Sequence, residues 1–164
     1  MAKLLLGFMG AGKTTIGSLL DDRFIDMDTV IEERIGMSIA QLFDLQGEAA
    51  FRKLESELLQ ELLSTCSDQH IISTGGGVVI SEQNRTLLRR NRKNNILLTA
   101  SFEVLYDRIK NDTVFQRPLF LNNSKEDFHG IFERRMHLYE GLSDLVINVD
   151  HRTPEEIVRI INSI

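Results

Sequence analysis

Short apolar runs and helically spaced apolar positions alternate along this chain. Runs at 3–7, 23–26, 70–74, 95–99 and 145–149 read as strands. Between them, apolar residues recur at three- and four-residue spacing over 13–20, 29–35, 38–44, 48–66, 82–92, 102–110 and 125–139, which predicts helices. A last helix opens at Pro154, where the missing N–H of proline costs nothing. Strands apolar throughout and separated by helices predict an α/β fold with a parallel sheet of five strands, helices on both faces, and one domain over 1–164. Ligands of such sheets bind beyond the carboxyl ends of the strands. The segment 111–124 shows no period and is rich in turn formers. Segments of this kind inside compact domains serve as lids or are disordered, and Arg117, Phe115 and Phe120 favour a lid.

Composition narrows the classes of partner. A chain of 164 residues can bury about 70% of its unfolded surface in a single core. The net charge is 19 − 24 = −5. The nearest approach to a basic block, Arg89, Arg90, Asn91, Arg92 and Lys93, lies at a predicted helix end, where cations favour the helix dipole and form a solvated face. No nucleic-acid partner is expected. Cys66 is the one cysteine, so no internal disulfide forms and a reducing compartment suits the chain. No uncharged stretch approaches the ~18 residues of a membrane span, and the first strand begins too early for a signal peptide. The expectation is a cytoplasmic protein without a membrane partner, and a monomer, because no heptad repeat is present.

Residues 7–14 read G-F-M-G-A-G-K-T, a complete G-x-x-x-x-G-K-[ST] phosphate-binding loop set between a strand and a helix. Its glycines let successive N–H groups converge on an anion. Lys13 can reach the outer phosphates and Thr14 offers a hydroxyl to Mg2+. The donor of the reaction is therefore a nucleoside triphosphate. Asp26 and Asp28 end the second strand, and alternation with period two would point both carboxylates into the crevice. One could order the water shell of a metal while the other holds or deprotonates an acceptor hydroxyl. Capping the following helix is the competing job. Arg52 lies in an amphipathic helix, where pairing with Glu48 or Glu55 on a solvated face would explain it equally. Gly75, Gly76 and Gly77 follow a strand directly, either as a flexible turn or because backbone there approaches another group closely. Arg117 and Arg135 carry guanidinium forks suited to carboxylate or phosphate. His70, His129, His137 and His151 lack the spacing of metal ligands.

Together, the phosphate-binding loop, Asp26-x-Asp28, Phe51-Arg52-x-x-Glu55, the triple glycine, Arg117-Pro118-Leu119 and Arg135-x-x-Leu138-Tyr139 resemble the shikimate kinase family, in its order and over nearly the whole chain. The resemblance implies a three-layer P-loop NTPase fold and transfer of the ATP γ-phosphoryl group to the 3-hydroxyl of shikimate, with Mg2+ as cofactor. It further implies that Asp28, Arg52, Gly75, Gly76, Gly77 and Arg135 hold shikimate, with a binding region near 29–60, and that 111–124 is the lid. By the same resemblance Lys13, Asp28 and Arg117 are catalytic. ATP would be bound by Gly10, Ala11, Gly12, Lys13, Thr14 and Thr15, with Arg117 on its phosphates and Arg108, Arg152 and Pro154 about the adenine. Thr14, and Asp26 through water, would manage Mg2+. Other small P-loop kinases, for gluconate or a nucleoside monophosphate, share the loop without this arrangement of arginines and glycines, and a non-catalytic nucleotide-binding module is the reading from another class. Two departures stand out. His137 occupies the place where the family usually has proline, and the thirteen positions from Lys13 to Asp26 make an unusually short connection. Either its helix is truncated or a few residues are missing near Leu20 and Asp21.

Overall fold

The computed structural model describes residues 1–112 and 117–164. Five strands, β1 (Lys3–Leu6), β2 (Ile25–Asp26), β3 (Ile71–Ser73), β4 (Asn95–Thr99) and β5 (Leu145–Asn148), form one sheet in the order β2-β3-β1-β4-β5. Every pairing is parallel, with Leu5 of β1 opposite Ser73 on one side and Ile96 on the other. The helices are α1 (Lys13–Leu20), α2 (Met27–Ile35), α3 (Ile39–Gln46), α4 (Glu48–Thr65), α5 (Glu82–Arg90), α6 (Phe102–Asn111), α7 (Pro118–Leu121), α8 (Lys125–Leu138) and α9 (Pro154–Asn162).

Alternation along the central strands divides the interior into two cores. Leu4 and Leu6 of β1 and Leu97 of β4 point to one face, where they pack with Ile31, Leu59 and Leu88 from α2, α4 and α5. Leu5, Ile96 and Leu98 point to the other, against Ile16, Leu105, Phe128 and Ile161 from α1, α6, α8 and α9. The expected three-layer α/β architecture is thus present, and β1 lies at the switch point of the strand order, the place where such sheets bind ligands.

The short connection after the phosphate-binding loop is closed by a tight turn. Helix α1 has 8 residues, its cap Asp21 donates to the Gly17 carbonyl at 3.0 Å, and the Phe24 N–H turns back to the Asp21 carbonyl at 3.0 Å. Gly17 makes this possible: a Cβ there would stand 2.7 Å from the Phe24 ring, so only glycine lets the ring fold against α1. His137 leaves α8 intact. It lies in the last turn with its ring 3.2 Å from Glu140, and the helix runs on to Leu138.

Three expectations need correction. Helix α2 starts at Met27 rather than at 29, because Asp26 is its cap. Helix α5 ends at Arg90, followed by a 3-10 turn over Arg92–Asn94. Part of the segment expected to lack structure is helical, α7, with the Phe120 ring 5.3 Å from Tyr106 and 5.6 Å from Phe128. Phe115, named for the lid, lies outside the described residues.

Candidate active site

The phosphate-binding loop leaves the carboxyl end of β1 and delivers its N–H groups at the start of α1, whose cap Gly12 is left-handed at φ 98°. The Ala11 N–H closes the turn on the Phe8 carbonyl at 3.1 Å. The Lys13 ammonium is buried and donates to the carbonyls of Gly7 and Phe8, the latter at 3.1 Å. Burial lowers its pKa to about 8, a fall partly opposed by Asp28 and reinforced by Arg117. Thr14 and Thr15 follow on the exposed rim of the loop. Arg108 of α6 reaches the loop from above, donating to the Gly10 carbonyl at 3.4 Å.

Asp26 combines two of the jobs open to it. Its Oδ1 caps α2 by accepting the N–H of Asp28 at 3.0 Å and of Thr29 at 3.4 Å, while its Oδ2 accepts the Thr14 hydroxyl at 3.1 Å. Asp28 is consequently not a strand residue. It stands in the first turn of α2, so the helix start, rather than strand alternation, aims its carboxylate. Its Oδ1 is buried and has no hydrogen-bond partner. Burial and the neighbouring Asp26 raise its pKa to about 6, while Lys13 and Arg52 pull it down.

Arg52 faces this carboxylate from α4. It pairs with exposed Glu48 at 3.2 Å, as a surface arginine would, but also with fully buried Glu55 at 2.9 Å. Its guanidinium carbon lies 5.0 Å from the centre of the Phe51 ring. The guanidinium occupies the space that a Cβ on Gly77 would fill, so glycine at 77 is what admits the arginine. A Cβ on Gly75 would meet Glu55 at 3.0 Å and Asp28 at 3.1 Å. The triple glycine is therefore a place of close approach rather than a loose turn. Arg135, on α8, completes the wall: it is buried, donates to the Gly76 carbonyl at 3.3 Å and lies 5.7 Å from the Phe8 ring centre. Burial and the adjacent Arg52 lower its pKa.

Arg117 lies half-buried 3.7 Å from Asp112, close enough to Lys13 to lower the pKa of the ammonium. Arg152 and Pro154 follow the carboxyl end of β5, on the same edge of the sheet, with Arg152 exposed and the Arg152 N–H on the Val149 carbonyl at 3.2 Å. Thus Lys13, Asp28, Arg52, Arg117, Arg135 and the glycines stand within electrostatic or contact reach of one another, with Asp26 and its partner Thr14 beside them.

Two residues of the site carry more than the sequence reading assigned them. Glu55 lies on the apolar stripe of α4 with Phe51, Leu58, Leu59 and Leu62. A lone acid on such a stripe is itself a signal, since a buried charge needs a partner. Burial raises its pKa, and Arg52 works against that rise. Tyr139 is buried and donates to the Gly76 carbonyl at 3.3 Å.

Comparison with known proteins gives the family and the fold. The family model described as shikimate kinase matches residues 9–164. A shikimate kinase of Streptococcus thermophilus is 60% identical over 161 residues, which cover 98% of this chain and 98% of the relative. The crystal structure of shikimate kinase from Bacteroides thetaiotaomicron superposes with a TM-score of 0.82 at 28% identity, over 99% of this chain and 97% of that one. A second structure, the Acinetobacter baumannii shikimate kinase in complex with shikimate, gives a TM-score of 0.80 at 27% identity over 99% and 90% of the two chains. With a phosphate-binding loop beside a carboxylate and two arginines, one buried and one half-buried, this chain, matched over nearly its whole length, belongs to the shikimate kinase family of ATP-dependent kinases.

Proposed function

We propose that this chain transfers the γ-phosphoryl group of ATP to the 3-hydroxyl of shikimate, giving shikimate 3-phosphate and ADP. The observation that carries the reading is the unpartnered Oδ1 of Asp28, buried between Lys13 of the phosphate loop and Arg52 of the acceptor wall. A hydroxyl docked there satisfies an oxygen that otherwise costs free energy. Arg52 and Arg135 converge on the same space and suit a carboxylate bound by charge-assisted hydrogen bonds. A small anionic polyol needs both features, which gluconate- or nucleotide-specific sites would arrange differently.

The division of labour follows. The N–H groups from Gly10 to Thr15 wrap the phosphates, helped by the positive end of α1. Lys13, now facing triphosphate charge, holds its proton and neutralises the transferring group. Arg117 adds a second positive charge there. As the acceptor oxygen bonds to the γ-phosphorus, its proton passes to the Asp28 carboxylate, the bond to the β,γ-bridging oxygen breaks, and ADP leaves. Positioning and electrostatics supply most of such a reaction. Thr14 and Asp26 present a hydroxyl and a carboxylate side by side, the hard oxygen donors that suit Mg2+ alongside phosphate and water. Mg2+ so held would neutralise charge on the outer phosphates. Among the described residues no cluster of three metal-ligating side chains occurs. Arg108, Arg152 and Pro154 are assigned to the adenine, and 111–124 to a lid that keeps water from the phosphoryl group. A cytoplasmic monomer is the accompanying reading; among the described residues no helix is long and apolar enough to cross a membrane.

A coupled assay of ADP formation with ATP and Mg2+, offering shikimate, gluconate or AMP separately, tests the proposal. Turnover with shikimate alone is the expected result. Activity confined to gluconate or AMP, or ATP binding without any acceptor-dependent ADP release, overturns it.

A further inference from the structure

We infer that the buried hydroxyl of Tyr139 is a positioning residue for the acceptor site, holding the Gly76 carbonyl that in turn holds Arg135. The inference rests on the proposed placement of the acceptor carboxylate at Arg52 and Arg135. Gly76 accepts two hydrogen bonds on one carbonyl, from Arg135 Nη1 and from the Tyr139 hydroxyl, each at 3.3 Å. Both donors come from the end of α8, four positions apart and hence on one face of the helix. Among the described residues the Gly76 carbonyl is the one hydrogen-bond acceptor that Arg135 has.

That matters because Arg135 stands against opposition. Its guanidinium is buried, and the charge of Arg52 pushes on it. No carboxylate pairs with it among the described residues, so a neutral carbonyl sets where it sits. The Gly75 and Gly77 carbonyls each accept a backbone N–H, from Val78 at 3.2 Å and from Ile80 at 3.1 Å, whereas the Gly76 carbonyl is held by the side chains of Arg135 and Tyr139. Tyr139 supplies the missing constraint. It is 1% exposed, and its ring is locked in the core that contains Val78, Val79 and Leu142. Burial pushes its pKa far above the usual phenol range, so the hydroxyl remains a donor at any working pH. A rigid second donor on that carbonyl fixes the acceptor of Arg135 and leaves the other N–H groups of the guanidinium for the acceptor carboxylate. Without it, Arg135 alone holds the Gly76 carbonyl and its own position is less narrowly set, while the phosphate loop keeps its own contacts.

Tyr139→Phe in the full chain removes only the oxygen. The expected result is a shikimate KM raised about fivefold, the effect of one hydrogen bond of ordinary strength. The KM for ATP and kcat at saturating shikimate should stay within about twofold, and the unfolding midpoint within a few degrees. The same substitution made in Arg135→Ala should change shikimate KM much less, because the two act as one unit. An unchanged shikimate KM in Tyr139→Phe overturns the inference, as does an equal loss for both substrates, which marks a purely structural hydroxyl. So does full additivity with Arg135→Ala. Should Tyr139→Phe fold poorly, replacing both tyrosines of the unmutated chain by 3-fluorotyrosine alters the donor strength instead. A shift in shikimate KM alone then supports the inference, and none refutes it. Failure of the acceptor reading itself would be distinguishable, since the unmutated protein would then show no shikimate-dependent turnover at all.

Discussion

Replacing Asp28 by asparagine should make the protein more stable while destroying its activity. Burial and Asp26 raise the Asp28 pKa from 3.8 to about 6, after the attraction of Lys13 and Arg52 has been included. At ~1.4 kcal/mol per tenfold change in proton affinity, holding the ionised form in the folded protein costs roughly 3 kcal/mol. Asparagine keeps the shape without the charge but still buries a polar amide, so a gain of about 1–2 kcal/mol is the reasonable expectation. For a chain of this size that corresponds to a rise in Tm of ~2–8 °C. The sign with pH follows from linkage. Between pH 3.8 and about 6 the folded state binds more protons at this carboxyl than the unfolded chain, so its contribution to stability falls as pH rises and is fully unfavourable above pH 6. The advantage of Asp28→Asn should therefore be full at pH 7 and turn near pH 4 into a deficit of about 1–2 kcal/mol, the cost of the buried amide alone. Thermal unfolding of the two ligand-free proteins across that range, with shikimate-dependent ADP formation measured in parallel, gives the answer. A variant less stable at pH 7, or equally stabilised at both ends, refutes the electrostatic reasoning; retained phosphoryl transfer reduces Asp28 to a bystander.

Two further substitutions probe the walls of the crevice. Gly77→Ala places a methyl group where the Arg52 guanidinium now lies, and because that group ends a flexible side chain the fold should tolerate it. Shikimate KM should rise tenfold or more, ~1.4 kcal/mol or more, with a lowered Tm because buried Glu55 loses its ion pair, and an unaltered KM would show that Arg52 does not bind the acceptor. Arg117→Ala should lower kcat about a hundredfold, the usual loss when one donor to a developing charge is removed, and change ATP affinity only a few-fold. Near-normal kcat in that variant would remove Arg117 from the chemistry.

The phosphate-binding loop and the alternation in β1 were legible in the sequence because each is a local pattern with a local cause. Leu4, Leu5 and Leu6 announce a strand buried on both faces, and the two cores follow from their period. Arg52 was ambiguous for the opposite reason. Its spacing from Glu48 and Glu55 is the same on a solvated face and in a site, and only the long-range approach of Gly77 separates the two cases. The cause of the aim of Asp28 was misread as strand alternation, because the cap at Asp26, which accepts two N–H groups, starts α2 earlier than apolar spacing suggests. The short helix α7 escaped notice since four residues are too few to show a period. Glu55 had a visible signal in its apolar stripe. Tyr139 did not, as nothing local in the sequence tells where a buried phenol finds its acceptor.

The two oxygens of Asp26 place an evolutionary constraint on this enzyme. One starts the helix that carries Asp28, the proposed acceptor contact, and the other meets the hydroxyl of Thr14 at the rim of the phosphate-binding loop. Any drift at this position is felt on the donor and acceptor sides at once, so the two specificities cannot be retuned independently through it. On the proposed assignment, a change of acceptor comes instead from the residues behind Arg52 and Arg135, which leave the nucleotide side untouched.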